Sequence, residues 1–232
     1  MGTSKPITGK AFTYLSSFAS EQLLQMYSSR FGPDIEVSLI NGRYQINAGD
    51  VNYSYGPLHD AFRRYFNLDP PPEGEEAAVL ILGFGGGSVA HILRNERNLK
   101  NAITGVEVDP AVLQAGREHF ALDKITGLEL IEADAREFIR TCRRAYALIV
   151  VDIYINNRVP EAFETTEFLT DIKNRLLPGG KLVFNKLVTD EVTRLEYQRL
   201  SGLFGEVFSN THTFSISVNK RMPNFMITGI ND

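Results

Sequence analysis

The sequence predicts an α/β chain: a seven-stranded, mostly parallel sheet with helices on both faces, preceded by a small N-terminal helix and β-hairpin region. Three observations predict it. From residue 77 onward, apolar runs alternate with helix-patterned segments. Those runs are almost continuously apolar, as strands buried on both faces are. Before that region, Asn41-Gly42 lies between two alternating segments, the strongest short signal of a hairpin.

The elements follow in order. Residues 1–10 read as a frayed tail and 11–29 as one helix, broken near Ser20, with Leu15, Phe18, Leu23, Leu24 and Met26 near helical spacing. The hairpin comes next, then a helix from Pro57. Pro70, Pro71 and Pro72 cannot continue that helix. They divide the chain into an N-terminal region, 1–72, and a nucleotide-binding domain, 73–232. Strands are expected at 77–82, 102–106, 128–131, 148–151 and 181–184, with helices at 88–97, 111–120, 135–146 and 166–177. Asp109-Pro110 marks a helix start. Pro178-Gly179-Gly180 is read as the stop of the fourth helix and the turn into the fifth strand. Two more strands, joined by a turn around 220–224, complete seven.

Composition narrows the function. The chain has 232 residues, 24 Lys and Arg against 28 Asp and Glu, and a formal net charge of −4. Such a balance argues against a dedicated nucleic-acid binder. One cysteine, Cys142, leaves no intrachain disulfide and no cysteine zinc site. No apolar run reaches the length of a membrane span and no signal peptide is seen, so a cytoplasmic protein is expected. The four histidines show no metal-ligand spacing, and no metal is expected.

The chemistry concentrates at the ends of the predicted strands. The first runs into Gly83-Phe84-Gly85-Gly86-Gly87-Ser88, where glycines let a backbone approach a ligand closely or simply make a tight turn. The strict dinucleotide fingerprint wants a third glycine where Ser88 stands. Glu107 ends the second strand, 20 residues beyond Gly87. A carboxylate there can accept both ribose hydroxyls of a nucleoside, or it caps a helix, a role for which Asp109 is better placed. Asp134-Ala135 ends the third strand: the acid either accepts from an adenine amino group, with the small alanine leaving room for the ring, or caps the next helix. Asp152 ends the fourth, where open parallel sheets bind ligands.

Taken together, GFGGGS, ITGVEVDPAVLQAGREHF, IEADAREFI, YALIVVDIY and LLPGGKLVFN resemble the Rossmann-like class I S-adenosylmethionine-dependent transferases, over about residues 75–232. With the preceding hairpin, IEVSLINGRYQINAG, the chain looks like the spermidine synthase (aminopropyltransferase) branch. The resemblance implies S-adenosylmethionine or its decarboxylated form as cofactor. The backbone amides of Gly83, Gly85, Gly86 and Gly87 would hold its aminoacyl part, Glu107 the ribose, and Asp134 with Ala135 the adenine. Asp152 would be the catalytic base, and Tyr55, His59 and Tyr154 would line the acceptor pocket, with Tyr53 read as packing. It also implies a homodimer, a small-molecule acceptor, and no nucleic-acid or membrane partner.

The pattern is broken at three acids. The family's glycine loop carries an Asp where Gly86 stands. Its D-x-x-D pair keeps Asp152 but has Ile155 second, and its Tyr-His-Glu element survives only as Tyr55-Gly56-Pro57. A polyamine is multiply charged and needs carboxylates. Without them, methyl transfer from intact S-adenosylmethionine is expected over aminopropyl transfer. A catalytically silent nucleoside-binding protein is the alternative of another class, and a nicotinamide oxidoreductase is disfavoured by Ser88.

Overall fold

The computed structural model describes residues 7–49, 51–74, 76–155, 158–219 and 222–232, with the side chains of 7–10, 51–53, 219 and 222 excepted. The start of the expected tail, the Tyr53 side chain and the first half of the C-terminal turn fall outside that description.

The N-terminal region forms a helix, α1 (Ile7–Ser16), and a four-stranded antiparallel sheet of β1 (Gln22–Tyr27), β2 (Ile35–Ile40), β3 (Arg43–Ala48) and β4 (Val51–Ser54), in that order. Asn41 and Gly42, at φ 49° and 73°, make the expected turn, and Ile40 pairs with Arg43 across it. The single helix expected over 11–29 is corrected. It ends at Ser16, and 22–27 is an edge strand paired with β2, so the apolar spacing there comes from strand residues, with Leu23 and Met26 exposed. Helix α2 (Pro57–Leu68) starts at the proline as expected and buries Phe62, Tyr65 and Phe66.

The second sheet holds β5 (Val79–Leu82), β6 (Ile103–Glu107), β7 (Leu128–Glu132), β8 (Tyr146–Val151), β9 (Leu176–Leu187), β10 (Asn210–Asn219) and β11 (Met222–Ile230). Their order is β10-β11-β9-β8-β5-β6-β7. Among its pairings, β5 through β9 are parallel, and only β11 runs against its neighbours. The Rossmann-like, mostly parallel seven-stranded expectation holds. Chain order reverses at β5, so the crevice beyond its carboxyl end is the switch point at which such sheets bind ligands.

The connecting helices are α3 (Ser88–His91), prolonged by a wider π-type turn to Glu96, α4 (Pro110–Phe120), α5 (Ala135–Thr141), α6 (Thr166–Lys173) and α7 (Glu191–Val207). Asp109 caps α4 and Thr165 caps α6. Two helices are shorter than their patterns suggest. Residue 146 already belongs to β8, and β9 begins at Leu176, where Pro178 to Gly180 form an irregularity within the strand in place of a turn before it. Helix α7, closed by a reciprocal Asp190–Thr193 capping box, has no counterpart in the sequence reading.

One core runs through both sheets. Ile46, Phe62 and Phe66 pack in the same cluster as Val79, Ile81 and Val150. At about 25 cal/mol per Å² of apolar area removed from water, each such side chain contributes roughly 1.5–3 kcal/mol, which joins the two regions energetically across Pro70–Pro72.

Candidate functional site

The site lies beyond the carboxyl ends of β5, β6 and β8. Gly83 follows β5 at φ 77°, and a Cβ there would lie 2.4 Å from the Asp152 carbonyl oxygen. Only glycine lets the ends of β5 and β8 approach so closely. Gly85 and Gly87 also have positive φ, at 57° and 89°. On β6, Gly105 leaves room for the Phe84 ring, which a Cβ would meet at 2.2 Å. The buried Phe84 therefore anchors the loop from beneath.

The loop's N–H groups are already committed. Those of Gly83 and Phe84 donate to the Val106 carbonyl, both at 3.0 Å. Gly85 donates to Glu107 Oε2 at 2.9 Å, Gly86 to Ser54 Oγ at 2.5 Å, and Gly87 to the Phe84 carbonyl at 3.1 Å. Each of the five N–H groups thus has an acceptor within the chain, which an aminoacyl group expected at these amides would have to replace. Among the described residues, the carbonyls of Gly83, Gly85 and Gly86 accept nothing, and a carbonyl suits an ammonium.

Glu107 is buried. Its Oε1 accepts from the Val108 and Asp109 N–H groups at 3.0 and 3.1 Å, and its Oε2 from Gly85. Burial pushes its carboxyl above the usual range, against those bonds. Three of about four lone-pair sites are used, so it can take one further donor, where two ribose hydroxyls were expected. Asp109 is the cap, accepting from Ala111 N at 2.9 Å; its other oxygen accepts from Ser29 at 2.6 Å.

Asp134 fills the capping role. Its Oδ1 accepts from Arg136 and Glu137 N–H at 2.8 and 3.0 Å. Its side chain is exposed, its Oδ2 remains available for an exocyclic amine, and Ala135 beside it is buried. Capping and ligand binding are thus compatible.

Asp152 is partly exposed. Burial is the largest influence on it and Glu107's charge adds to the effect, so its carboxyl is pushed up to about 7 although the Asn185 amide donates to its Oδ1 at 2.9 Å. A carboxyl that titrates near neutrality is suited to proton transfer. Asn185 itself is 1% exposed, and its Oδ1 is buried without a partner.

Asn185 was missed in the sequence reading. The signal was available: a polar residue at the end of a buried parallel strand, in LVFN. Ser54 and Ile46 were missed as well. A Cβ on Gly86 would lie 2.5 Å from Ile46 Cδ1 and 2.8 Å from Ser54 Cβ, so the N-terminal sheet fills the space of a residue-86 side chain.

Of the expected acceptor residues, Tyr154 is at the site, but its hydroxyl is occupied. It donates to the Asn185 carbonyl at 2.9 Å and accepts from Leu187 N–H at 2.7 Å, which pins residues 152–154 to the end of β9. Beyond it the loop is tied down at Glu164, which meets the fully buried Lys186 and, at 3.1 Å, Arg199. Tyr55 and His59 lie together. Their rings stack 5.4 Å apart in a cavity lined by α2, α3 and the end of α4, which shares no residue with the acids of the sheet edge. The positive φ of Tyr55, 66°, and its N–H bond to Ser88 Oγ at 2.7 Å direct the chain there.

No family model matches the chain. It is 31% identical over 145 residues to the polyamine aminopropyltransferase of Vibrio vulnificus, covering 61% of this chain and 47% of that protein. It is 28% identical over 136 residues to the eEF1A lysine and N-terminal methyltransferase homolog of Drosophila melanogaster, covering 54% and 20%. The chain thus spans half or less of the length of these curated relatives. Among solved structures, a probable spermidine synthase from Corynebacterium glutamicum superposes with a TM-score of 0.73 at 19% identity, over 91% of this chain and 81% of that one. Human methyltransferase-like protein 13 in complex with SAH gives 0.56 at 22% identity, over 75% and 78%. The fold is that of the class I methyltransferases in the form shared with spermidine synthases, and the sequence is similar to that branch.

Proposed function

We propose that the chain is an S-adenosylmethionine-dependent transferase of the spermidine synthase-like group that moves a methyl group to a small-molecule acceptor. The observation that carries this reading is the placement of Asp152, partly exposed and held by Asn185 beside Glu107 at the switch point, where burial pushes its carboxyl up to about 7. When bound, S-adenosylmethionine supplies a carbon on a sulfonium leaving group, so the protein's task is alignment, deprotonation and exclusion of water.

Glu107 would take one ribose hydroxyl, Asp134 Oδ2 the adenine amine above Ala135, and the glycine-loop carbonyls the ammonium of the tail. Asp152 would remove the proton from an amine or hydroxyl acceptor. The unpartnered Asn185 Oδ1 would accept a second acceptor hydrogen and so orient the nucleophile. Tyr154 is a positioning residue that fixes residues 152–154.

Methyl transfer is preferred over aminopropyl transfer because of Gly86. An aspartate there would repel the carboxylate of the intact cofactor, whereas here Ile46 and Ser54 occupy that space. Similarity to aminopropyltransferases supports the second reading, in which the decarboxylated cofactor is used. Calorimetric titration with S-adenosylmethionine, its decarboxylated form, methylthioadenosine and NAD separates them. Tighter binding of the intact form is expected. Preference for the decarboxylated form would establish the second reading, and binding of NAD alone would defeat both. The homodimer implied by the resemblance belongs to the same proposal, and sedimentation velocity tests it.

A further inference from the structure

The cavity that holds Tyr55 and His59 has a volume of about 370 Å³, within the range of small-molecule sites. It opens between the tip of the β2–β3 hairpin, the start of α2, the side of α3 and the end of α4. Its acids are satisfied. Glu96 receives Arg63 Nε and Nη2 at 2.6 and 2.8 Å and His59 Nε2 at 2.6 Å, and Asp60 receives Arg63 Nη1 at 2.8 Å. Bonding to Arg63, followed by His59, keeps Glu96 ionised, with its carboxyl lowered to about 2. Glu96 therefore accepts and His59 Nε2 donates; in the tautomer that carries its hydrogen on Nε2, Nδ1 is a bare lone pair.

That Nδ1 is buried with no partner, and so is the Tyr55 hydroxyl. Each such group costs about 1–3 kcal/mol. Tyr55 also holds a left-handed backbone conformation, its ring sandwiched by Phe120 at 4.3 Å and His59 at 5.4 Å. Unmet polar groups and a strained residue gathered at one cavity are the pattern of a binding site. Tyr44 and Phe120, 6.1 Å apart, give it an aromatic wall. Arg43, exposed on the hairpin, lines the cavity too and forms no ion pair among the described residues. With Arg63 neutralised by two acids, Arg43 is the cation left over.

We propose that this cavity is a second small-molecule site, for a compact aromatic acid that carries a hydrogen-bond donor at the end remote from its carboxylate. The carboxylate meets Arg43, the ring lies against Tyr44 and Phe120, and the donor reaches His59 Nδ1 beside the Tyr55 hydroxyl.

The test is titration of the full chain, labelled with 15N-histidine, with 4-hydroxybenzoate; His59→Gln assigns the resonance. The readout needs neither cofactor nor turnover. The expected result is a saturable shift of the His59 Nδ1 signal. Benzoate, which lacks the donor, and the Arg43→Ala variant should each bind about tenfold more weakly, with melting unchanged in the variant. Tyr55→Phe keeps the ring stack and should also weaken binding. No shift up to about 10 mM, or equal affinity for benzoate and in Arg43→Ala, would overturn the proposal.

Discussion

Asn185→Leu isolates what holds Asp152 near neutrality. The Asn185 amide donates to Asp152 Oδ1 at 2.9 Å and favours the ionised form against burial and the Glu107 charge. A hydrogen bond to a charged group is worth about 1.5–3 kcal/mol, and one pKa unit is 1.36 kcal/mol. Asp152 is partly exposed, so the lower figure applies, and removal should raise its midpoint from about 7 by about one unit. Leucine also removes the orphaned Oδ1 at similar volume, so little cavity energy enters. The assay is 13C NMR of labelled aspartate carboxyls across pH 4–10, with Asp152→Asn assigning the signal. The sign extends to stability. The folded pKa lies above the unfolded value of about 3.9, so ionisation favours unfolding, and the group's contribution is lost as pH rises from about 4 to about 7. In Asn185→Leu that decline should continue to about pH 8. A midpoint near 4 in the parent protein, or an unchanged or lower one in the variant, would refute the reasoning.

Three further outcomes follow from the geometry. Gly86→Asp forces a side chain into Ile46 and Ser54 and should cost about 1–3 kcal/mol in urea unfolding, recovered in part by Ile46→Ala. Lys186→Met leaves buried Glu164 with Arg199 alone and should destabilise by about 3 kcal/mol, while the Lys186→Met, Glu164→Gln pair lies closer to the parent in the same assay. Asp134→Ala should lose about 1 kcal/mol of cap energy, whereas Asp134→Asn keeps the cap; calorimetry should show both binding S-adenosylmethionine more weakly, and unchanged affinity in both would confine Asp134 to capping.

The parts legible in the sequence were those written locally. Asn41-Gly42, Asp109-Pro110 and the glycine loop each carry a backbone requirement that few residues meet, and buried parallel strands announce themselves by unbroken apolar runs. Residues 22–27 were misread because Leu23, Leu24 and Met26 suit a helix as well as a strand, and pairing with β2 decides between them. The candidate site was legible as a run of consecutive strand ends: Gly83, Glu107, Asp134 and Asp152 stand at four of them. Ser54 and Ile46 act across the fold, in contacts spanning 32 and about 40 residues of chain, and no short-range pattern marks them; Asn185, 33 residues from Asp152, is marked locally only as a polar residue in an apolar strand. Tyr55 and His59 were expected in the acceptor pocket from the resemblance at Tyr55-Gly56-Pro57; the cavity they line depends on the backbone turn at Tyr55 and on its bond to Ser88, which the sequence does not display.

The committed amides of the glycine loop bear on competition between metabolites. Many adenosine compounds in a cell carry phosphates, and a pyrophosphate draws much of its affinity from unoccupied backbone N–H groups. Here it would have to displace Ser54 from Gly86, or Glu107 from Gly85, and Glu107's carboxyl group, when ionised, repels it. On the proposed reading, a pyrophosphate tail is therefore disfavoured at this loop without any steric barrier, whereas the ammonium of an aminoacyl tail meets only carbonyl oxygens there.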